Sequence, residues 1–164
     1  MKIFIMRHGE AVEMLGDDSL RPLTSHGLLE AEQTGKWLAC CKMPLSYVFV
    51  SPYLRAQQTC DSVINALVES QPKLLGQSET LNFITPSGNT KQTHDFIDGL
   101  LNDTTTQALL IISHMPFVSY LVAELTSTKQ MPIFSTGTIA IIDYDTDKMQ
   151  GQLIDMVSPA IPKN

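Results

Sequence analysis

The stretch Lys2-Ile3-Phe4-Ile5-Met6-Arg7-His8-Gly9 decides the fold. Its apolar run Ile3-Phe4-Ile5 predicts a short buried strand over about Lys2 to Met6, which delivers an arginine and a histidine and then stops at a glycine. Arginine carries a planar fork that binds two oxygens at once and is well matched to phosphate. Histidine can serve as nucleophile or acid/base near neutral pH. Glycine lets the backbone turn sharply or approach a ligand. Open α/β sheets place ligands at the C-terminal ends of their strands, so the stretch points to phosphoryl chemistry at such an end. An Arg-His-Gly tripeptide also arises by chance, and its meaning rests on what the rest of the chain sets beside it.

Outward from this strand, apolar runs and helical patterns alternate, which favours an α/β fold with a mainly parallel sheet. Thr24 resembles an N-cap, and Leu28, Ala31, Trp37 and Leu38 predict a helix to about Cys40. Tyr47-Val48-Phe49-Val50 reads as a second buried strand ending at Ser51-Pro52. A helix from about Leu54 to Val68 follows, with Ala56, Thr59, Val63, Ile64 and Leu67 toward the core. Glu79 to Ile84 reads as strand or extended loop, Pro86-Ser87-Gly88-Asn89 as a turn, and His94 to Leu101 as a helix. Ala108 to Ile112 is the clearest central strand; Ser113-His114 follows it, and Pro116 opens a helix to about Leu125. Thr138 to Tyr144 and Gln152 to Met156 read as closing strands joined through Asp145-Thr146-Asp147.

Composition bounds the function. With 164 residues, 43% hydrophobic and 17% charged, the chain fits one globular domain over 1–164, with no repeat or linker dividing it. No apolar stretch is long enough for a membrane span, and the five-residue N-terminal run is too short for a signal peptide, so a cytoplasmic protein is expected. A net charge of −6 argues against broad nucleic-acid binding. The odd set Cys40, Cys41 and Cys60 lacks a CxxC pair, and these cysteines are expected as small buried or half-buried hydrophobes. The histidines show no ligand spacing of the HExxH kind, so no metal site and no cofactor are expected. His26 and His94 are expected to be exposed and inert. The chain has only three arginines, Arg7, Arg21 and Arg55, so an anion site in this acidic protein must gather them locally.

Three predicted strand ends carry chemistry: Arg7-His8-Gly9; Ser51-Pro52 with Arg55 a turn later; and Ser113-His114. In a parallel sheet they share one edge, where two imidazoles and at least two guanidiniums would meet. Taken singly, His8 or His114 could be a core histidine and Arg55 a surface helix residue. Arg21 could form a loop salt bridge to Asp17 or Asp18 instead of facing the site. Glu10 could line the pocket or lie solvated in its loop.

Those endings, with Ser51-Pro52-Tyr53-Leu54-Arg55-Ala56-Gln57-Gln58-Thr59, resemble the histidine phosphatase superfamily, also called phosphoglycerate mutase-like. Arg21-Pro22-Leu23-Thr24 with Gly27, and His114-Met115-Pro116, resemble its short bacterial SixA-type phosphohistidine phosphatase branch. The resemblance covers Met1 to about Met156 and implies a three-layer α/β/α sandwich. It also implies roles. His8 attacks phosphorus and forms a covalent phosphohistidine that water hydrolyses. Arg7 and Arg55 grip the phosphoryl oxygens and hold down the His8 pKa, His114 donates a hydrogen bond to them, and Arg21 completes the pocket.

One departure bears on the substrate. Many members of the superfamily protonate the leaving oxygen with a carboxylic acid from mid-chain, where this sequence reads Glu79-Thr80-Leu81-Asn82-Phe83-Ile84-Thr85-Pro86. Phe83 stands in the expected place, and Glu79 is a weak candidate. General acid catalysis is typically worth about 10²–10⁴-fold, so its loss weighs on alkoxide leaving groups and less on a phosphoramidate, which leaves as an amine. A short chain without cap material also implies an open pocket. The expected partner is therefore a phosphorylated histidine phosphotransfer protein or domain of a two-component phosphorelay, met by a monomer. The alternatives are a small-molecule phosphomonoesterase on the same fold and a non-catalytic phosphoprotein-binding module.

Overall fold

The computed structural model describes residues 1–14, 16–100 and 106–160. The strands β1 (Lys2–Arg7), β2 (Tyr47–Val50), β3 (Ser78–Thr80), β4 (Ala108–Ser113), β5 (Ile139–Asp145) and β6 (Gln150–Val157) form one sheet in the order β3-β2-β4-β1-β5-β6. The first four in that order run parallel; β5 and β6 are antiparallel additions. The helices are α1 (Ser25–Cys40), α2 (Leu54–Leu67), α3 (Thr90–Leu100) and α4 (Phe117–Leu125).

Strand pleating sends alternate residues to opposite faces, and both faces here are covered. Ile3, Ile5, Phe49, Leu109 and Ile111 point to one side and pack with Ile97 of α3 and with Phe117, Leu121 and Leu125 of α4. Phe4, Met6, Val48, Val50, Leu110 and Ile112 point to the other side and meet Ala31 and Leu38 of α1 and Ala56, Val63 and Leu67 of α2. This double cover is why the strand sequences read as unbroken apolar runs. Each such side chain contributes about 1.5–3 kcal/mol when fully buried. The architecture is the expected α/β/α sandwich.

Several local expectations are corrected. Leu28 sits on the solvent side of α1 at 44% exposure, because Gly27, Glu30, Ala31 and Thr34 form its buried face. Cys40 and Cys41 lie exposed at the end of α1, and only Cys60 is buried, with its thiol pushed up to about 12 by burial. Helix α3 begins at Thr90 rather than His94, with Asn89 accepting from the Gln92 backbone N–H; the expected end, Leu101, lies outside the described residues. Pro116 stands just before α4, in the cap position, and the Met115–Pro116 peptide is cis.

His94 is not exposed, contrary to expectation. It is half-buried between α3, α4 and β5, with Nδ1 3.2 Å from a Glu124 carboxylate oxygen and Nε2 2.7 Å from the Tyr144 hydroxyl. That hydroxyl donates to Asp98 at 2.6 Å. His26 is exposed, as expected, with Nε2 3.5 Å from Glu30.

Candidate active site

Strand register assembles the site. Arg7 pairs with Ser113, and Val50 pairs with Ile112. The ladder continues one step past each strand, with the His8 N–H donating to the Ser113 carbonyl at 2.9 Å and the Ser51 N–H to the Ile112 carbonyl at 3.1 Å. His8, Ser51 and His114 therefore emerge beside one another. From β1 the chain departs to α1 on one face of the sheet, and from the adjacent β4 to α4 on the other. That divergence opens the crevice in which parallel sheets hold ligands.

The loop after β1 is held by close backbone contact. A Cβ added to Gly9 would stand 2.3 Å from the Gly27 carbonyl oxygen, and one added to Gly27 would stand 2.1 Å from that of Glu10. Only glycine permits this approach. The Gly9 N–H donates to Thr59 Oγ1 at 3.1 Å, and that hydroxyl donates to the Arg55 carbonyl at 2.7 Å. Thr24 caps α1 by accepting from the Gly27 N–H at 3.0 Å. The Leu23 N–H donates to Gln58 Oε1 at 2.7 Å, tying the Arg21-Pro22-Leu23-Thr24 segment to α2.

His8 is 5% exposed, with Nδ1 2.7 Å from the Gly9 carbonyl. A carbonyl only accepts, so Nδ1 carries the ring proton and Nε2 presents a lone pair. Arg55 Nε donates to that Nε2 at 3.2 Å. The His8 pKa is lowered to about 4, first by burial and then by the charges of Arg55, Arg7 and Arg21, against a raising contribution from the Gly9 carbonyl. The imidazole is thus neutral across the physiological range, with burial rather than the arginines as the larger cause.

His114 is 1% exposed, and its ring centroid lies 4.9 Å from that of His8. Its Nε2 stands 2.6 Å from Ser51 Oγ, while its Nδ1 is buried without a partner. Burial, then His8, then the three arginines lower its pKa to about 2. Tyr53 supports both groups, with its ring 4.9 Å from His114 and the Arg55 guanidinium carbon 5.0 Å above it.

All three arginines converge. Arg55 is 4% exposed and donates through Nη1 to the Asp18 carbonyl at 2.6 Å and through Nη2 to an Asp18 carboxylate oxygen at 3.0 Å. Arg21 Nη1 meets the other Asp18 oxygen at 3.1 Å, so Arg21 makes the loop salt bridge and also acts electrostatically on both histidines. Arg7 Nη1 donates to the Phe134 carbonyl at 2.7 Å. Arg7 Nε and Arg21 Nε are buried without partners, as is His114 Nδ1. The two unpaired guanidinium nitrogens belong to residues whose charges act on His8, and guanidinium groups gathered beside an imidazole suit an oxyanion. A groove between α1 and α2, lined by Leu28, Leu29, Lys36 and Ala66, contains none of these residues.

Several contributors escape a reading of sequence. Asp18 bridges two of the arginines; its three-residue spacing from Arg21 was the only signal. Buried Glu30 accepts from the Glu10 N–H at 2.7 Å and raises the Arg7 pKa against the larger lowering by burial. Glu10 itself is exposed and accepts from the Thr24 hydroxyl at 2.7 Å. Glu79 is exposed on β3, whereas Phe83 packs against Phe96 with ring centroids 5.5 Å apart. Among the described residues, no group of three or more His, Cys, Asp or Glu is placed to hold a metal ion. No helix among them is long and apolar enough to cross a membrane.

A neutral histidine and a second imidazole within an arginine cluster, at the divergent strand ends of such a sheet, define a class. The chain belongs to the histidine phosphatase superfamily, whose branch 1 profile matches residues 3–75, and it is a phosphatase with a catalytic histidine. Among curated proteins it is 39% identical to the phosphohistidine phosphatase SixA of Escherichia coli (strain K12), over 88% of this chain and 86% of that one. It is 36% identical to the SixA homolog of Haemophilus influenzae, over 98% of both chains. Among solved structures, the protein histidine phosphatase SixA complexed with tungstate superposes with a TM-score of 0.88 at 37% identity, covering 97% of each chain. An enzyme of this class sets aside the non-catalytic binding module.

Proposed function

We propose that this chain is a phosphohistidine phosphatase that dephosphorylates a phosphohistidine-bearing protein, such as a histidine phosphotransfer domain of a two-component phosphorelay. The observation that carries the reading is the His8 imidazole, with Nδ1–H pinned on the Gly9 carbonyl and the Nε2 lone pair facing the arginine cluster. In the first step, His8 Nε2 attacks phosphorus. The P–N bond to the substrate imidazole breaks, and the leaving nitrogen ends protonated from solvent. In the second, water attacks the phosphoryl group on His8, the new P–N bond breaks, and inorganic phosphate leaves. As phosphorus approaches, the Arg55 Nε–H passes from His8 to a phosphoryl oxygen. Arg7, Arg21 and His114 supply the remaining donors, and the work is positioning and charge stabilisation.

Three features support a phosphoramidate on a protein over a small phosphomonoester. Phe83, at the position where the resemblance leads one to look for an acid, has no proton to donate and packs on Phe96. The named relatives are phosphohistidine phosphatases. The two segments tied to Arg55 and Arg7 also display apolar side chains to solvent: Val12, Met14 and Leu20 on one, Met131 and Ile133 on the other, Ile133 at 87% exposure. Such a rim suits a protein surface better than a small metabolite. On this reading the whole chain acts as one domain, a cytoplasmic, metal-independent monomer.

The test incubates the protein and its His8→Ala variant with a phosphorylated phosphotransfer domain and follows phosphate release, with and without EDTA. Release by the unmodified protein alone, unaffected by EDTA, is expected. Equal turnover of sugar phosphates or nucleotides would replace the protein substrate with a small-molecule one. Loss of activity with EDTA would overturn metal independence.

A further inference from the structure

The second imidazole has a choice the first does not. Neutral His114 carries one ring proton, and hydrogen-bond donation to a phosphoryl oxygen requires that proton on the nitrogen facing the anion. Its Nε2 is taken by Ser51 Oγ at 2.6 Å, so Nδ1 is the nitrogen left for the ligand, and Nδ1 is the buried atom without a partner. Ser51 is 0% exposed and can therefore reach no solvent. Its oxygen also accepts the Tyr53 N–H at 3.4 Å. A hydroxyl holds one proton and two lone pairs. With the Tyr53 N–H on a lone pair, the hydroxyl proton has a single acceptor among the described partners of Oγ, the lone pair of His114 Nε2. The opposite arrangement, Nε2–H donating to Oγ, strands the hydroxyl proton in a dry site and turns a bare Nδ1 lone pair toward an anion. With a phosphoryl oxygen at Nδ1, the first tautomer satisfies every group, whereas the second leaves two unsatisfied.

We propose that Ser51 is a positioning residue that fixes the tautomer of His114: its hydroxyl donates to Nε2 and so keeps the ring proton on Nδ1, where it hydrogen-bonds the transferring phosphoryl group. The partner on one ring nitrogen sets the state of the other. The sheet makes this arrangement rigid. Ser51 is locked by its N–H to the Ile112 carbonyl and by its own carbonyl, which accepts from Gln57 Nε2 at 2.7 Å. The assignment rests on the reading of His114 as a phosphoryl donor.

The test is nitrogen-15 NMR of the full chain at neutral pH, with the His114 signals identified by their loss in His114→Gln. In the unmodified protein, His114 should show a protonated Nδ1 and an unprotonated Nε2; in Ser51→Ala, proton density should move to Nε2, and Ser51→Thr, which keeps the hydroxyl, should restore Nδ1–H. Losing one preorganised donor should lower kcat of Ser51→Ala by about a hundredfold to a thousandfold, with KM little changed and Ser51→Thr recovering most of the rate. A protonated Nε2 in the unmodified protein overturns the proposal, and so does Nδ1–H persisting in Ser51→Ala. The first measurement needs no variant and decides the matter even where Ser51→Ala fails to fold. Failure of the unmodified protein to release phosphate would sink the phosphatase reading without moving the tautomer.

Discussion

Buried, arginine-flanked His8 should remain an active nucleophile in acid that would silence an ordinary histidine. Its pKa of about 4 lies well below the reference of 6.5. At pH 5.5 a reference imidazole is only about 9% neutral, whereas one of pKa about 4 is about 97% neutral. Between pH 7.5 and 5.5, kcat/KM should therefore change by under about 10% where an unperturbed nucleophile would lose about tenfold. The assay is the initial rate of phosphate release from a phosphorylated phosphotransfer domain at constant ionic strength, with His8→Ala as the blank for spontaneous hydrolysis. NMR titration of the His8 ring separates its protonation from that of the substrate. Because burial outweighs the arginines, Arg55→Met should raise the His8 pKa yet leave it below 6.5. A tenfold loss of rate by pH 5.5, with His8 itself titrating near 6.5, would refute the reasoning.

The same shift has a cost in stability. Between pH 6.5 and 4 the unfolded chain binds a proton at His8 that the folded chain does not, so stability falls as pH drops through that window, by about 3 kcal/mol from His8 alone, and above 6.5 the group contributes nothing. Urea melts at pH 7.5 and 4.5 should show this loss in the unmodified protein and less of it in His8→Gln. Gly9→Ala drives a Cβ to 2.3 Å from the Gly27 carbonyl and should cost about 1–3 kcal/mol or more, visible as a lower urea midpoint. Tyr144→Phe removes the hydroxyl shared by Asp98 and His94 and should cost about 1–3 kcal/mol while leaving turnover unchanged. Glu79→Gln, on an exposed strand edge, should leave kcat within about twofold; a hundredfold fall would make Glu79 the missing acid.

How much was legible in the sequence depended on how local the cause was. The strands β1, β2 and β4 announced themselves because a sheet covered on both faces demands continuous apolar residues. The pocket residues were readable because chemistry at parallel strand ends leaves arginine and histidine directly after those runs. Contacts between segments distant in sequence left no such trace. The spacing of Asp18 and Arg21 allows their salt bridge, but nothing in it says that the same carboxylate reaches Arg55, and nothing in Ser51 says that its hydroxyl meets an imidazole sixty-three positions away. His94 has ordinary helical neighbours, and its partners come from α4 and β5. Leu28 misled because one apolar residue fits the period of α1 on a face that glycine, alanine and threonine bury more closely.

Gathering every arginine into one pocket also divides the molecule electrically. Outside that pocket, with Asp18 and Glu30 set aside beside the arginines, eight lysines face fifteen acidic residues, so the far field is anionic while the near field at His8 is cationic. A freely diffusing phosphate ester feels repulsion first, and added salt should relieve it and quicken encounter. A phosphohistidine carried on a larger body can be brought past that barrier by contacts made elsewhere on the body. The protein thus screens its visitors by how their charge is mounted, before any of them reaches a hydrogen-bond donor.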